Sequence, residues 1–214
     1  MSGTLVNTLL PITMFSGIIT AVAPVTQQRN NKDFSITIKI PKGWKLKKGD
    51  SIAVDGVCLT VASKTPSTFS CHLMDETLFK TTFGKHMPAR VNLEQSLIVS
   101  DRLDGHVVSG HVDAVGTIRA IAMQKGSVLL TCYFPKHFAS LIVQKGSIAV
   151  DGISLTIIDC ARDWFTISLV RYTLEHTTLQ EKNIGDVINL EFDMMAKFFV
   201  RQMELYAHSR KRRL

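Results

Sequence analysis

The chain has 214 residues, of which 45% are hydrophobic and 20% charged, and a net charge of +7. That length accommodates one large or two small domains, and the balance is that of a globular protein. No stretch reaches the roughly 18–20 apolar residues of a membrane helix.

Residues 1–13, "MSGTLVNTLLPIT", carry no basic n-region and read as a disordered leader rather than a secretory signal, with Met14 as a second candidate start. Next comes "SGIITAVAPV" at 16–25, then "FSITIKI" at 34–40, whose apolar–polar alternation predicts a strand. "PKGWKLKKGDS" punctuates the chain before "SIAVDGVCLTV" at 51–61. There an Asp-Gly pair between two β-rich runs is a hairpin signal, because Gly accepts positive φ. "FSCHLMDETLFKTT" at 69–82 and "VNLE" at 91–94 follow.

From residue 109 the same series returns: "SGHVDAVGTI" at 109–118, "SIAVDGISLTI" at 147–157, "FTISLVRYTLEHTT" at 165–178 and "INLE" at 188–191. "SVLLTCYF" at 127–134 and "WFTISLV" at 164–170 alternate as strands do. The offset between copies grows only from 93 to 97. Two copies are too few for a solenoid. They divide the chain into two domains of one fold, 14–108 and 109–192, each built of short strands in a small barrel or sandwich. "DMMAKFFVRQMELYAH" at 193–208 is different. Met195, Phe198, Phe199, Gln202 and Leu205 share one helical face and Asp193 can cap the start. That face can join subunits or pack on its own barrel. The tail at 209–214, with Arg210, Lys211, Arg212 and Arg213, reads as solvated; no aromatic–basic interleaving marks a nucleic-acid site. Cys58, Cys71, Cys132 and Cys160 lack paired spacing and suit a reduced, cytoplasmic chain without disulfides or zinc.

The motifs "MFSGII", "VDGVCLTV", "ETL", "VNLE", "GHVVSGHVD", "KGSIAVDGISLTI" and "TLEHTTL", in this order, make residues 14 to about 205 resemble the riboflavin synthase α-chain family. The resemblance implies an all-β fold, a tandem pair of six-stranded Greek-key barrels followed by the C-terminal helix, assembled as a homotrimer through that helix. It implies a transferase that dismutates two molecules of 6,7-dimethyl-8-ribityllumazine into riboflavin and 5-amino-6-ribitylamino-pyrimidinedione, without cofactor or metal, and association with lumazine synthase. A non-catalytic lumazine-binding antenna protein of the same fold is the alternative; the intact "DGVCLT" and "DGISLT" favour the enzyme.

The resemblance carries over substrate-binding residues. For the N-barrel these are Cys58, Leu59 and Thr60, with His72, Leu73, Met74, Asp75, Glu76 and Thr77 on a strand, and His111. For the C-barrel they are Ser154, Leu155 and Thr156, with Val170, Arg171, Tyr172, Thr173, Leu174 and Glu175 on a second strand. Gly17, Ile18 and Ile19 join them, and Lys145 reaches in from a neighbouring subunit. Cys58, His111, Ser51, Asp151 and Ser154 are the catalytic candidates, although Asp151 and Asp55 also read as hairpin-turn residues. Val170-Arg171 stands where the family has Ile-Pro, which frees φ beside the C-barrel pocket. Cys58 against Ser154, and Ile18 against His111, are the chemical differences between the copies. His106 and His111 are five apart, so a straight strand would point them to opposite faces unless Ser109-Gly110 bends it.

Overall fold

The computed structural model describes residues 13–30 and 33–211. The expected leader, up to residue 12, and residues 212–214 of the basic tail lie outside the described residues.

The first barrel comprises β1 (Ala21–Asn30), β2 (Asp33–Lys39), β3 (Ser51–Val54), β4 (Val57–Lys64), β5 (Thr68–Leu73) and β6 (Arg90–Gln95), closed in the order β1-β2-β5-β4-β3-β6. The second comprises β7 (Ala114–Gln124), β8 (Ser127–Tyr133), β9 (Ser147–Val150), β10 (Ile153–Cys160), β11 (Trp164–Val170) and β12 (Val187–Phe192), closed in the same cyclic order. In each, three strands joined in sequence are followed by a fourth that returns beside the first: β6 lies against β3, and β12 against β9. That is the Greek-key connection.

Local sequence sets these pairings. Asp55 and Gly56 have φ of 44° and 77°, and Asp151 and Gly152 have 45° and 80°. Both central residues of each two-residue loop are thus left-handed, and Val54 pairs with Val57 as Val150 pairs with Ile153. Alternation then sends Ile36, Ile38, Ile52, Val61, Phe69 and Leu93 into one core and Ile118, Ile148, Ile157, Phe165, Ile167 and Leu190 into the other. Each such side chain contributes about 1.5–3 kcal/mol of burial.

The barrels meet about a pseudo-twofold axis. Phe15 bridges Val108, and a Cβ on Gly56 would lie 2.6 Å from the Gly152 nitrogen. Asn92 Nδ2 donates to the Asp151 carbonyl while Asn189 Nδ2 donates to the Asp55 carbonyl. Their Oδ1 atoms accept from the Thr178 and Thr82 amides, each again in the opposite barrel.

Two segments depart from expectation. The residues expected to bind substrate from strands change to helix: β5 ends at Leu73 and α1 runs Asp75–Lys80, while β11 ends at Val170 and α2 runs Arg171–His176. Asp75 and Glu76 suit the positive end of α1, and the i,i+4 pairs Glu76–Lys80 and Arg171–Glu175, both 2.7 Å, tie one turn of each helix.

The last helix, α3, spans Met194–Lys211. Asp193 caps it, its Oδ1 accepting from the Met195 amide at 2.9 Å. Lys197 bonds Asp113 at 2.6 Å, tying the first turns to the second barrel. Met195, Phe198, Phe199 and Leu205 remain 73%, 62%, 68% and 47% exposed, so the apolar face does not pack on its own barrel. No described helix is long and apolar enough to cross a membrane.

Candidate functional site

The site is made by a reciprocal exchange. The segment leading into β1 does not stop at its own barrel: the Gly17 carbonyl accepts from the Ser154 amide of β10 at 2.8 Å. The segment leading into β7 does the converse, the Gly110 carbonyl accepting from the Cys58 amide of β4 at 2.8 Å. Both glycines are required. Their φ values are +77° and +78°, and a Cβ would lie 2.6 Å from Ser154 Cβ or 2.5 Å from Cys58 Cβ. Beyond them Ile19 packs against the second core and Val112 against the first.

At the first barrel this arrangement leaves a cleft of about 340 Å3 lined by Cys58, Met74, Glu76, Thr77, His111 and their neighbours. Alternation buries Leu59 and Leu73 in the core beneath it, so only their backbone can serve a ligand; Thr60, His72 and Asp75 are exposed. Ser51 sits behind the thiol. Its hydroxyl bonds Cys58 and accepts from Thr13 Oγ1 at 3.2 Å. Burial pushes the Cys58 thiol up, the Ser51 bond lowers it in part, and the negative charge of Glu191 raises it again.

At the second barrel, Ser154 stands where Cys58 stands in the first. Its Oγ lies 2.7 Å from His106 Nδ1. Burial pulls the His106 imidazole below its ordinary value, opposed by the charge of Asp193, and its Nε2 has no hydrogen-bond partner among the described residues. Leu155 and Leu174 are half-buried against the second core, Thr173 is half-buried, and Thr156, Val170, Arg171, Tyr172 and Glu175 are exposed. Tyr172 stacks on His176 with ring centroids 4.0 Å apart. Ile18 is 44% exposed and also lines an outer groove with Trp44 and Ile98.

Other expected residues fall elsewhere. Asp151 is 1% exposed at the barrel–barrel contact, where it accepts from the Asn189 amide at 2.7 Å and pairs with Lys182 at 3.1 Å. Its carboxylate holds the hairpin, its carbonyl accepts from Asn92 across the interface, and the side chain is not brought to either cleft. Asp55, its counterpart, is pushed well above the carboxylate range, first by burial and then by the charge of Asp151. Lys145 is exposed with φ of +65°, at the place that Gly49 holds in the first barrel.

The bend at Gly110 answers the question of the two histidines. His111 faces the first cleft and His106 faces Ser154 in the second, so they serve different barrels. Sequence reading gave His106 no role. Gly110 and Val112 also escaped it, although the repeat matches them to Gly17 and Ile19. Thr13 matches His106 at the same offset of 93, a further signal that only contact with Ser51 and Ser154 makes readable.

Comparison with known proteins agrees with this architecture. The lumazine binding domain family matches twice, over residues 16–96 and 109–193. The riboflavin synthase of Mycobacterium bovis is 42% identical over 197 residues, covering 89% of this chain and 98% of that protein. That of Actinobacillus pleuropneumoniae is 38% identical over 188 residues, covering 86% and 87%. Among solved structures, LumP complexed with riboflavin superposes with a TM-score of 0.76 at 22% identity, covering 83% of this chain and 98% of that one, a likeness of fold. Doubled lumazine binding domains, closed barrels and this identity along most of both sequences place the chain in the riboflavin synthase family.

Proposed function

We propose that the protein is a riboflavin synthase that brings two molecules of 6,7-dimethyl-8-ribityllumazine face to face and transfers a four-carbon unit between them. Riboflavin and 5-amino-6-ribitylamino-pyrimidinedione are the products. The observation that carries this reading is the reciprocal exchange of the Gly17 and Gly110 segments. It gives the two barrels sites of one backbone plan but unequal chemistry, as a reaction between two identical molecules in different roles requires.

Each cleft holds one ring. His72–Thr77 and Val170–Glu175 turn from strand to helix at the rim, offering backbone groups to the pyrimidine edge and Thr77 and Thr173 to the ribityl chain. His111 adds a polar group over the first ring where Ile18 gives the second an apolar one. In the second cleft, a His106 kept neutral by burial accepts the Ser154 hydroxyl proton at Nδ1, which readies that oxygen to add to the bound ring. The partner ring loses a methyl proton to solvent water, leaving a resonance-stabilised carbanion. Holding the two rings in register supplies about 7–11 kcal/mol of the acceleration.

Opposed clefts of different chains fit a homotrimer joined by the uncovered face of α3, with Lys145 reaching a neighbour's site. A cytoplasmic location suits the four free thiols. Association with lumazine synthase rests on the family resemblance alone. The antenna reading is weaker, because the chain is 42% identical over 197 residues to a riboflavin synthase.

The test is incubation of the purified chain with 6,7-dimethyl-8-ribityllumazine. Riboflavin fluorescence should appear with one riboflavin for two lumazines consumed; tight lumazine binding without riboflavin would establish the antenna reading instead.

A further inference from the structure

Two buried carboxylates have no part in the chemistry above. Glu94 in β6 and Glu191 in β12 are each 3% exposed. Glu94 accepts from the Ser16 amide at 2.7 Å, the Ser16 hydroxyl at 2.6 Å and the Gly17 amide at 3.0 Å. Glu191 accepts from the Ser109 amide at 2.6 Å, the Ser109 hydroxyl at 2.7 Å and the Gly110 amide at 2.8 Å. The serine oxygens then accept from the Ile18 and His111 amides at 3.2 and 3.3 Å.

We propose that Glu94 and Glu191 are positioning residues for the dismutation, each fastening the segment that its own barrel carries across to the other barrel's cleft. The proposal rests on the synthase reading and adds the means by which each barrel organises its neighbour's cleft.

Three converging donors need an acceptor with two free oxygens. A carboxylate meets that demand; an amide would turn an NH2 toward a backbone N–H. Burying the carboxylate is costly, and burial raises both groups despite these bonds. The bonds fix Gly17 and Gly110, whose carbonyls bind the Ser154 and Cys58 amides, and through the serines they fix the residues that face the rings. The two anchors differ in reach. The charge of Glu191 is felt at Cys58 and is itself offset by Lys197.

The experiment compares full-length E191Q and E94Q with the unaltered protein. It reads riboflavin formation and, by mass spectrometry, the pH profile of iodoacetamide alkylation at Cys58. Both variants should lose turnover by at least about tenfold. Only E191Q should move the Cys58 profile to lower pH, since only there is a negative charge removed beside the thiol. The alkylation profile needs no turnover, so it reports on the anchor even if the chain makes no riboflavin. Should either variant fail to fold, S109A and S16A remove one of the three bonds and keep the charge. Each should slow turnover about threefold with the Cys58 profile unmoved. Full turnover in both glutamine variants, an equal shift of the Cys58 profile in both, or undiminished turnover in the serine variants would overturn the proposal.

Discussion

The two clefts are built on one backbone and differ in what can move a proton. Behind Cys58 stand Ser51 and Thr13, hydroxyls that are poor proton acceptors; behind Ser154 stands His106, an imidazole that burial pulls below its ordinary value and so favours in its neutral, proton-accepting form. Duplication therefore preserved the anchoring carboxylates, the close-approach glycines and the hairpins, while the copies differ at Thr13/His106 behind the site, Cys58/Ser154 within it and Ile18/His111 in front. Geometry comes from what the copies share, and the assignment of chemical roles from what they do not.

The severest way to break the comparison is to separate clefts that must face each other. F198D with F199D places charge on the exposed stripe of α3 without touching either barrel. Light scattering should show monomers, and turnover should fall at least about a hundredfold, close to 3 kcal/mol. A trimeric, active variant would show that the clefts meet by another surface.

Next is the histidine that only one cleft has behind it. H106A should lower turnover by about 10²–10⁴, the usual contribution of a general base. H111A should cost about tenfold, and the exposed H137A nothing measurable. The pH profile sharpens this. The His106 imidazole lies below its ordinary value, so the neutral form persists at neutral pH. Activity should fall only on acidification below about 6.5, and that acid limb should be missing from the residual activity of H106Q. A limb unchanged in H106Q would assign it to another group.

How far was this legible in sequence? The repeat, the barrels and the Asp-Gly hairpins follow from local rules, because period-two alternation and left-handed turn residues act within a few positions. The site did not follow in the same way. His106 lies outside the matched segments, and what gives it chemistry is a serine 48 residues later in the chain. Glu94 and Glu191 look like strand residues of "VNLE" and "INLE", and their role depends on segments 77–82 residues earlier. Asp151 is the opposite case: of the hairpin and catalytic readings its motif offers, its position fits the hairpin one. Its motif sits next to Ser154, yet strand alternation and the tight turn direct its carboxylate into the interface. The helical turns at 75–80 and 171–176 were misread because the β-like runs before them extend directly into ion-paired segments too short to show a period.

The interface itself is asymmetric, and stability measurements should expose it. Asp151 has Lys182 beside it, whereas the matching position in the first barrel is His86. D151N leaves Lys182 half-buried without its partner and should cost about 3 kcal/mol by denaturant titration. D55N removes a carboxyl that burial and Asp151 both push upward, so it should cost little near neutral pH. The sign follows from linkage. A folded-state value raised above that of the unfolded chain stabilises at low pH and loses that contribution as pH rises through the folded value. Unaltered protein should therefore lose stability on raising pH above the ordinary carboxylate range, about 4, and D55N should lose less. Equal costs for the two variants would mean that Lys182 serves both aspartates alike.

The smallest effect is expected where the sequence contrast is plainest, at Cys58 against Ser154. A thiol acts as nucleophile or base only as thiolate. Burial and the charge of Glu191 both hold Cys58 protonated, and the bond from Ser51 reverses this only in part. The group that reaches the lumazine ring at neutral pH is then a neutral S–H, for which a hydroxyl is a close substitute in size and donor capacity. C58S should retain turnover within about threefold, or roughly 0.7 kcal/mol of barrier, and bind lumazine nearly as well. C58S combined with T13H would transplant the second cleft's pair into the first. If the proton acceptor alone distinguishes the roles, that variant should show a second acid limb in its pH profile. A tenfold or greater loss in C58S, about 1.4 kcal/mol, would show that the thiol takes part chemically, and the difference between the clefts would then reside in Cys58 as well as in His106.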